Sequence, residues 1–321
     1  MYSFFKNGFL ILCSLLLVSL ALFFLFLKIC GLTYNTLPDT EISNSYSLNE
    51  KMAIMHGRYA DIVGIGSSVA NNNINSKTII EHFNNQSFFN ASSSGFTNRD
   101  IYGYINVYNG IHPIKKLIIV GGFADYFHGD KIINFEHLKK YMSEPDYNPI
   151  SLKKFNLEYL HSALNVNRAL HNTDEENTSL SSYYDFYGTQ IIQTHTVGKD
   201  LKTAFKKIFY DDFTTYKNSL SLRNYNIKYL DSISIFCRKN NIELYYFQSP
   251  INGSLLSERN DIIDSLANLT IQEQKIICGK GQYFVKTYDQ NWSDSLFDDY
   301  QHMNRIGAPV FTKYCLDQIK N

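Results

Sequence analysis

The chain has no excess of charge of either sign: 30 Lys and Arg balance 30 Asp and Glu over 321 residues. Without a basic field there is nothing to gather a polyphosphate, so nucleic acid is not expected as a partner, and no acidic tail is present. Cysteine is scarce as well, with five in all. Cys13 and Cys30 lie in or against an apolar run, which leaves Cys237, Cys278 and Cys315 for the folded part. Three scattered cysteines cannot build a disulfide framework and are expected as buried thiols or at most one bridge. No Cys and His group has the spacing of a zinc site, and His56, His82, His112 and His195 stand alone. Neither a metal nor any other cofactor is therefore expected. No internal repeat is evident.

What the chain does have, near its start, is a long apolar run from Gly8 to Leu27, interrupted only by Ser14 and Ser19. At about 1.5 Å per residue such a helix crosses a hydrocarbon core of roughly 30 Å. The run leads into Lys28-Ile-Cys-Gly31 without a small-residue cleavage site, so residues 1–32 read as an uncleaved transmembrane anchor. Lys6 lies on one side of the span and Lys28 on the other, and the C-terminal part is placed outside the cytoplasm. Residues 33–57, polar and rich in Asn, Ser and Glu, read as a linker.

From residue 58 to 321 the pattern alternates between strand and helix. Strands are expected at Tyr59–Gly66, Ser87–Asn90, Leu117–Gly122, Ile242–Phe247 and Tyr283–Tyr288. Helices are expected around Ser76–Phe83 and Asn98–Asn109, at the Ile227, Leu230, Ile233 and Cys237 spacing, over 257–277 and over Ile306–Ile319. Alternation of this kind predicts an α/β domain, a parallel sheet covered on both faces. Residues 123–218 break it: aromatics abound, a polar stretch runs over His171–Ser182, and only Leu201–Phe209 reads as a helix. This is expected to be an insertion or cap over the sheet edge.

In an open parallel sheet, ligands bind beyond the carboxyl ends of the strands. Four segments fall there. Gly66-Ser67-Ser68 follows the first strand, where a serine can expose its hydroxyl and turn N–H groups can face a developing oxyanion. Ala91-Ser-Ser-Ser-Gly95 follows the second, and its glycine permits close backbone approach. Gly121-Gly-Phe-Ala-Asp125 follows the third, with Asp125 read as a helix cap or surface acid. Asp299-Tyr-Gln-His302, followed by Asn304 and Gly307, precedes the last helix, and a carboxylate three residues before a histidine can fix its tautomer and stabilise it when protonated.

These four blocks, in this order, resemble the SGNH/GDSL hydrolase family over most of the chain after residue 58. The resemblance implies a three-layer, flavodoxin-like parallel sheet. It also implies Ser68 as nucleophile, His302 as base, Asp299 as its orienting acid, and backbone N–H groups of Ser68 and Gly95 as oxyanion donors. The family's third block supplies an asparagine, and here that position is Ala124. Another donor, Asn71 or Asn98, would have to replace it, or activity would be weak. The anchor together with Gly-Ser-Ser is similar to the membrane-bound subgroup acting in cell-envelope O-acetylation and D-alanylation. That implies a serine esterase or O-acyltransferase, an acylated glycan or acyl donor as substrate, and an envelope-biosynthesis protein as partner. A catalytically degenerate domain that binds a glycan or a partner enzyme is the alternative. Gly66-Ser-Ser-Val-Ala70 also fits a loose α/β-hydrolase elbow, but that elbow normally follows several earlier strands.

Overall fold

The computed structural model describes residues 2–29, 42–43, 45–129, 133–144, 184–190, 199–256 and 260–319. Five strands form one sheet: β1 (Ile62–Gly66), β2 (Phe88–Asn90), β3 (Lys116–Gly121), β4 (Glu243–Gln248) and β5 (Gln282–Val285). All pairings are parallel and the order is β2-β1-β3-β4-β5. This is the flavodoxin-like order of doubly wound sheets, in which the chain reverses its direction of growth between β1 and β3. The expected strands are all present. The first and last are shorter than the sequence suggests, beginning at Ile62 and ending at Val285.

The helices are α1 (Tyr2–Ile29), α2 (Tyr46–Met55), α3 (Ser68–Asn73), α4 (Ser76–His82), α5 (Asn98–Asn109), α6 (Phe135–Ser143), α7 (Lys199–Asn218), α8 (Leu220–Lys239), α9 (Gly253–Leu256), α10 (Asn260–Ile276) and α11 (Gly307–Ile319). Because strand side chains alternate between faces, β3 sends Leu117 and Ile119 into one core with Ile101 and Tyr104 of α5, Ile233 of α8 and Leu266 of α10. It sends Ile118 and Val120 into a second core with Val69 of α3, Ile79 of α4 and Phe311 of α11. The domain is thus three layers, helix on sheet on helix, with near-continuous apolar strands as burial on both faces demands.

Two boundaries differ from those expected. The segment read as a linker over 33–57 contains α2, which buries Leu48, Met52 and Met55 against the first core. Residues 33–41 lie outside the described residues. The insertion over 123–218 is described at a turn over Phe123–Tyr126, at α6, at 184–190 and at α7, with the His171–Ser182 stretch outside the described residues. Its α7 does more than cover an edge. Phe209, Phe213 and Tyr216 of this helix pack around Phe123, which follows β3, and Phe209 also meets Tyr300 beside His302. Cys237 and Cys315 are buried thiols as expected, whereas the Cys278 thiol is exposed, in the turn after α10.

Backbone geometry makes α1 a single helix, and Phe9, Leu12, Leu16 and Leu17 on it are well exposed. Among the described residues, no helix is long and apolar enough to cross a membrane; several α1 side chains lie outside the described residues.

One buried acid in the first core has a consequence for stability. Glu273 on α10 accepts hydrogen bonds from Tyr126 and Tyr246, both at 2.6 Å, and from Gln248 at 2.9 Å. Burial outweighs these bonds and pushes its carboxyl up to about 7. The unfolded chain releases this proton near pH 4, while the folded chain keeps it to about 7. Across that window the folded state binds more protons, so this group's contribution to stability falls as pH rises. Glu273→Gln, which has no proton to lose, is expected to gain on the wild type between pH 5 and pH 8 by on the order of 3 kcal/mol. Denaturant midpoints of the two proteins at both pH values check this, and a difference that does not grow with pH contradicts it.

Candidate active site

β1 ends in Gly66, where a Cβ would lie 2.5 Å from the Ala70 Cβ and 2.8 Å from the Val120 carbonyl oxygen. Only glycine lets the chain turn this tightly against β3 and start a helix at once. Ser67 caps that helix, its side chain accepting from the Val69 N–H at 3.3 Å, and Ser68 is the first residue of α3. Of the adjacent serines, Ser67 is thereby committed to the turn. It also hydrogen-bonds the buried Asp125 carboxylate, which accepts the Gly122 N–H at 2.9 Å. Asp125 is a cap, as the sequence suggests, but it is buried, and burial pushes its carboxyl up to about 6.

Ser68 Oγ lies 2.9 Å from His302 Nε2, and His302 Nδ1 lies 2.6 Å from Asp299 Oδ2. A serine hydroxyl, an imidazole and a carboxylate are thus within hydrogen-bond reach in series, although 234 residues separate the first two. Asp299 Oδ1 also accepts the backbone N–H groups of Gln301 at 2.9 Å and His302 at 2.8 Å. Burial alone would raise Asp299. The hydrogen bond and charge of His302 and the two backbone donors outweigh it and hold the carboxyl below the usual carboxylate range. The His302 side chain remains 18% exposed, so a substrate can reach it from solvent.

The loop carrying the histidine is clamped by a residue that motif reasoning passes over. Asn73, at the end of α3, donates to the Gln301 carbonyl at 2.9 Å and accepts the Met303 N–H at 2.7 Å. One buried amide therefore grips the backbone on both sides of His302, five residues along the short helix that begins with Ser68. Its type and place carry no signal in one sequence, because the bond partners are backbone groups 228 and 230 residues away. Asn304 accepts the N–H groups of Ile306 and Gly307, both at 3.0 Å, and so caps α11. Tyr300 donates to Asp212 of α7 at 2.5 Å, tying the same loop to the insertion.

The remaining block residues fall where the strand ends place them. Gly95 lies in the loop after β2 at φ +74°, a left-handed conformation that glycine adopts without cost. The Ser93 N–H of that loop donates to the Gly66 carbonyl at 3.0 Å, so the loops bearing Gly95 and Ser68 are joined at their bases. Ala124 is buried in the first core and offers no side-chain donor. Both expected substitutes already hold other partners. Asn71 accepts from Lys51 at 2.5 Å and donates to Gln190, and Asn98 donates to the Asn226 carbonyl at 3.1 Å.

The arrangement can pass a proton from Ser68 to His302 while Asp299 holds the imidazole, at the crevice between β1 and β3 where doubly wound sheets bind ligands. No family model matches the chain, and no curated protein does.

Proposed function

We propose that the protein is a membrane-anchored SGNH-type serine esterase or O-acyltransferase that acts on an acylated glycan of the cell envelope. The observation that carries this reading is the chain of contacts from Ser68 through His302 to Asp299. Ser68 Oγ attacks the ester carbonyl while His302 Nε2 takes its proton. The tetrahedral intermediate collapses as His302 returns that proton to the leaving alcohol, and an acyl-Ser68 remains. Water or a sugar hydroxyl, deprotonated by His302 in turn, attacks the acyl carbon; the acyl–Oγ bond breaks, His302 returns the proton to Ser68 Oγ, and the acyl group leaves as an acid or a new ester. Asp299 keeps the proton on Nδ1 so that Nε2 can act as acceptor.

The anchor and the substrate class rest on other observations. A helix of 28 residues extends about 42 Å, more than a hydrocarbon core requires, and its outward apolar side chains suit lipid contact. The domain then lies outside the cytoplasm, close to the membrane surface. The glycan and the possible partner from envelope biosynthesis come from the resemblance of the four blocks to anchored envelope enzymes.

A second reading is favoured by Ala124: without the asparagine donor, the domain would be a binding module with no turnover. The two separate cleanly. Full-length protein treated with a fluorophosphonate is expected to be labelled at Ser68, and Ser68→Ala is expected to take no label. Absence of labelling in the wild type, together with absence of ester hydrolysis, would leave the binding module.

A further inference from the structure

With Ala124 at block three, oxyanion stabilisation in the acyl-serine reading falls on two backbone N–H groups from different segments, Ser68 on α3 and Gly95 on the loop after β2. A donor that shifts by a fraction of an ångström loses much of its effect on a developing charge, so what fixes these two segments to one another matters. One side chain does so directly. Lys51 of α2, wholly buried, donates to Asn71 Oδ1 on α3 at 2.5 Å and to the Ser92 carbonyl on the loop at 2.6 Å.

We propose that Lys51 is a positioning residue for the oxyanion site, its ammonium holding the nucleophile helix and the Gly95 loop at a fixed separation. The inference rests on the serine-hydrolase reading and adds to it. Lys51 has no exposed surface, so it cannot touch substrate and is not itself the nucleophile or base. Its surroundings suit a cation: two carbonyl-type oxygens accept from it, the Tyr184 ring lies 5.2 Å away, and Asp185 supplies a favourable charge. Burial nonetheless draws its pKa well below the usual lysine value. Burying an amine is costly, and hydrogen bonds to a helix and a loop flanking the candidate site are what that cost secures.

α2 reinforces the grip with hydroxyls. Ser93 Oγ lies 2.6 Å from Ser45 Oγ, just before α2, and 2.8 Å from Ser47 Oγ, in its first turn. The peptide between Ser92 and Ser93 is thereby held through its carbonyl by Lys51 and through the next side chain by two serines. The Gly95 N–H stands two residues further along.

The test compares two reactions at residue 68 in the full-length protein. Phosphonylation of Ser68 by a fluorophosphonate requires the oxyanion donors. Alkylation of a Ser68→Cys variant by iodoacetamide requires the nearby histidine but develops no oxyanion. Lys51→Met is expected to slow phosphonylation about 10²-fold, the scale of one lost donor, while alkylation at position 68, read by mass spectrometry of that peptide, changes less than threefold. Lys51→Gln, which keeps N–H donors on a shorter stem, is expected to fall between Lys51→Met and the wild type. An unchanged phosphonylation rate, or equal losses in both reactions for both variants, overturns the proposal. A wild type that takes no fluorophosphonate overturns the underlying hydrolase reading instead, and iodoacetamide at position 68 then still reports whether the histidine is in place.

Discussion

His302→Ala is expected to lower kcat for hydrolysis of a simple ester such as p-nitrophenyl acetate by about 10⁶-fold, and Ser68→Ala by a similar factor. The double variant is expected to be no worse than either single one. The reason lies in the 2.9 Å contact between Ser68 Oγ and His302 Nε2. A serine hydroxyl is a poor nucleophile until a base accepts its proton, and a base at this place has nothing to do without the hydroxyl. Each residue removes the same step, so the losses do not add. In serine hydrolases a residual rate survives such changes because oxyanion donors and binding remain. Here that residual should be small, since Ala124 contributes no donor. Measured kcat for the three variants decides it. Losses that multiply would mean that the two side chains act in separate steps, and a loss below about tenfold for His302→Ala would end the hydrolase reading.

The pieces of the site were legible because they sit at strand ends, where chemistry is short-range in sequence. Leu117-Ile-Ile-Val-Gly is apolar throughout because β3 is buried on both faces, and the structure places that strand at Lys116–Gly121. Gly66-Ser-Ser and Asp-x-x-His are each confined to a few residues, so their types and spacing survive as a pattern. α2 shows the opposite case. Leu48, Met52 and Met55 do recur at helical spacing, yet Asn49, Glu50 and Lys51 between them are also buried, which makes the segment read as a solvated linker. Only their partners reveal why: Asn49 donates to the Ser43 carbonyl, and Lys51 reaches Asn71 and Ser92. A polar residue buried by a distant partner cannot be told from an exposed one in a single sequence. The same limit hid Asn73 and the packing of α7 on Tyr300, whose determinants lie on segments far apart in the chain.

Asp299→Asn is expected to cost about 10⁴-fold in kcat with little change in KM. The carboxylate accepts three bonds: the His302 Nδ1 contact at Oδ2, and the Gln301 and His302 backbone N–H groups at Oδ1. An asparagine has a single acceptor oxygen. The two backbone donors are fixed and can only donate, so they claim that oxygen, and the amide NH₂ then faces Nδ1. Nδ1 must become the acceptor, which moves the imidazole proton to Nε2. His302 would then donate to Ser68 Oγ in place of accepting from it, and the base is lost with the geometry intact. Two readouts separate this from simple loosening of the loop: alkylation of Ser68→Cys by iodoacetamide should slow together with ester hydrolysis, whereas the denaturant midpoint should move only slightly. If Asp299→Asn instead unfolds the domain, or leaves kcat within about tenfold of the wild type, the tautomer of His302 is not set by Asp299.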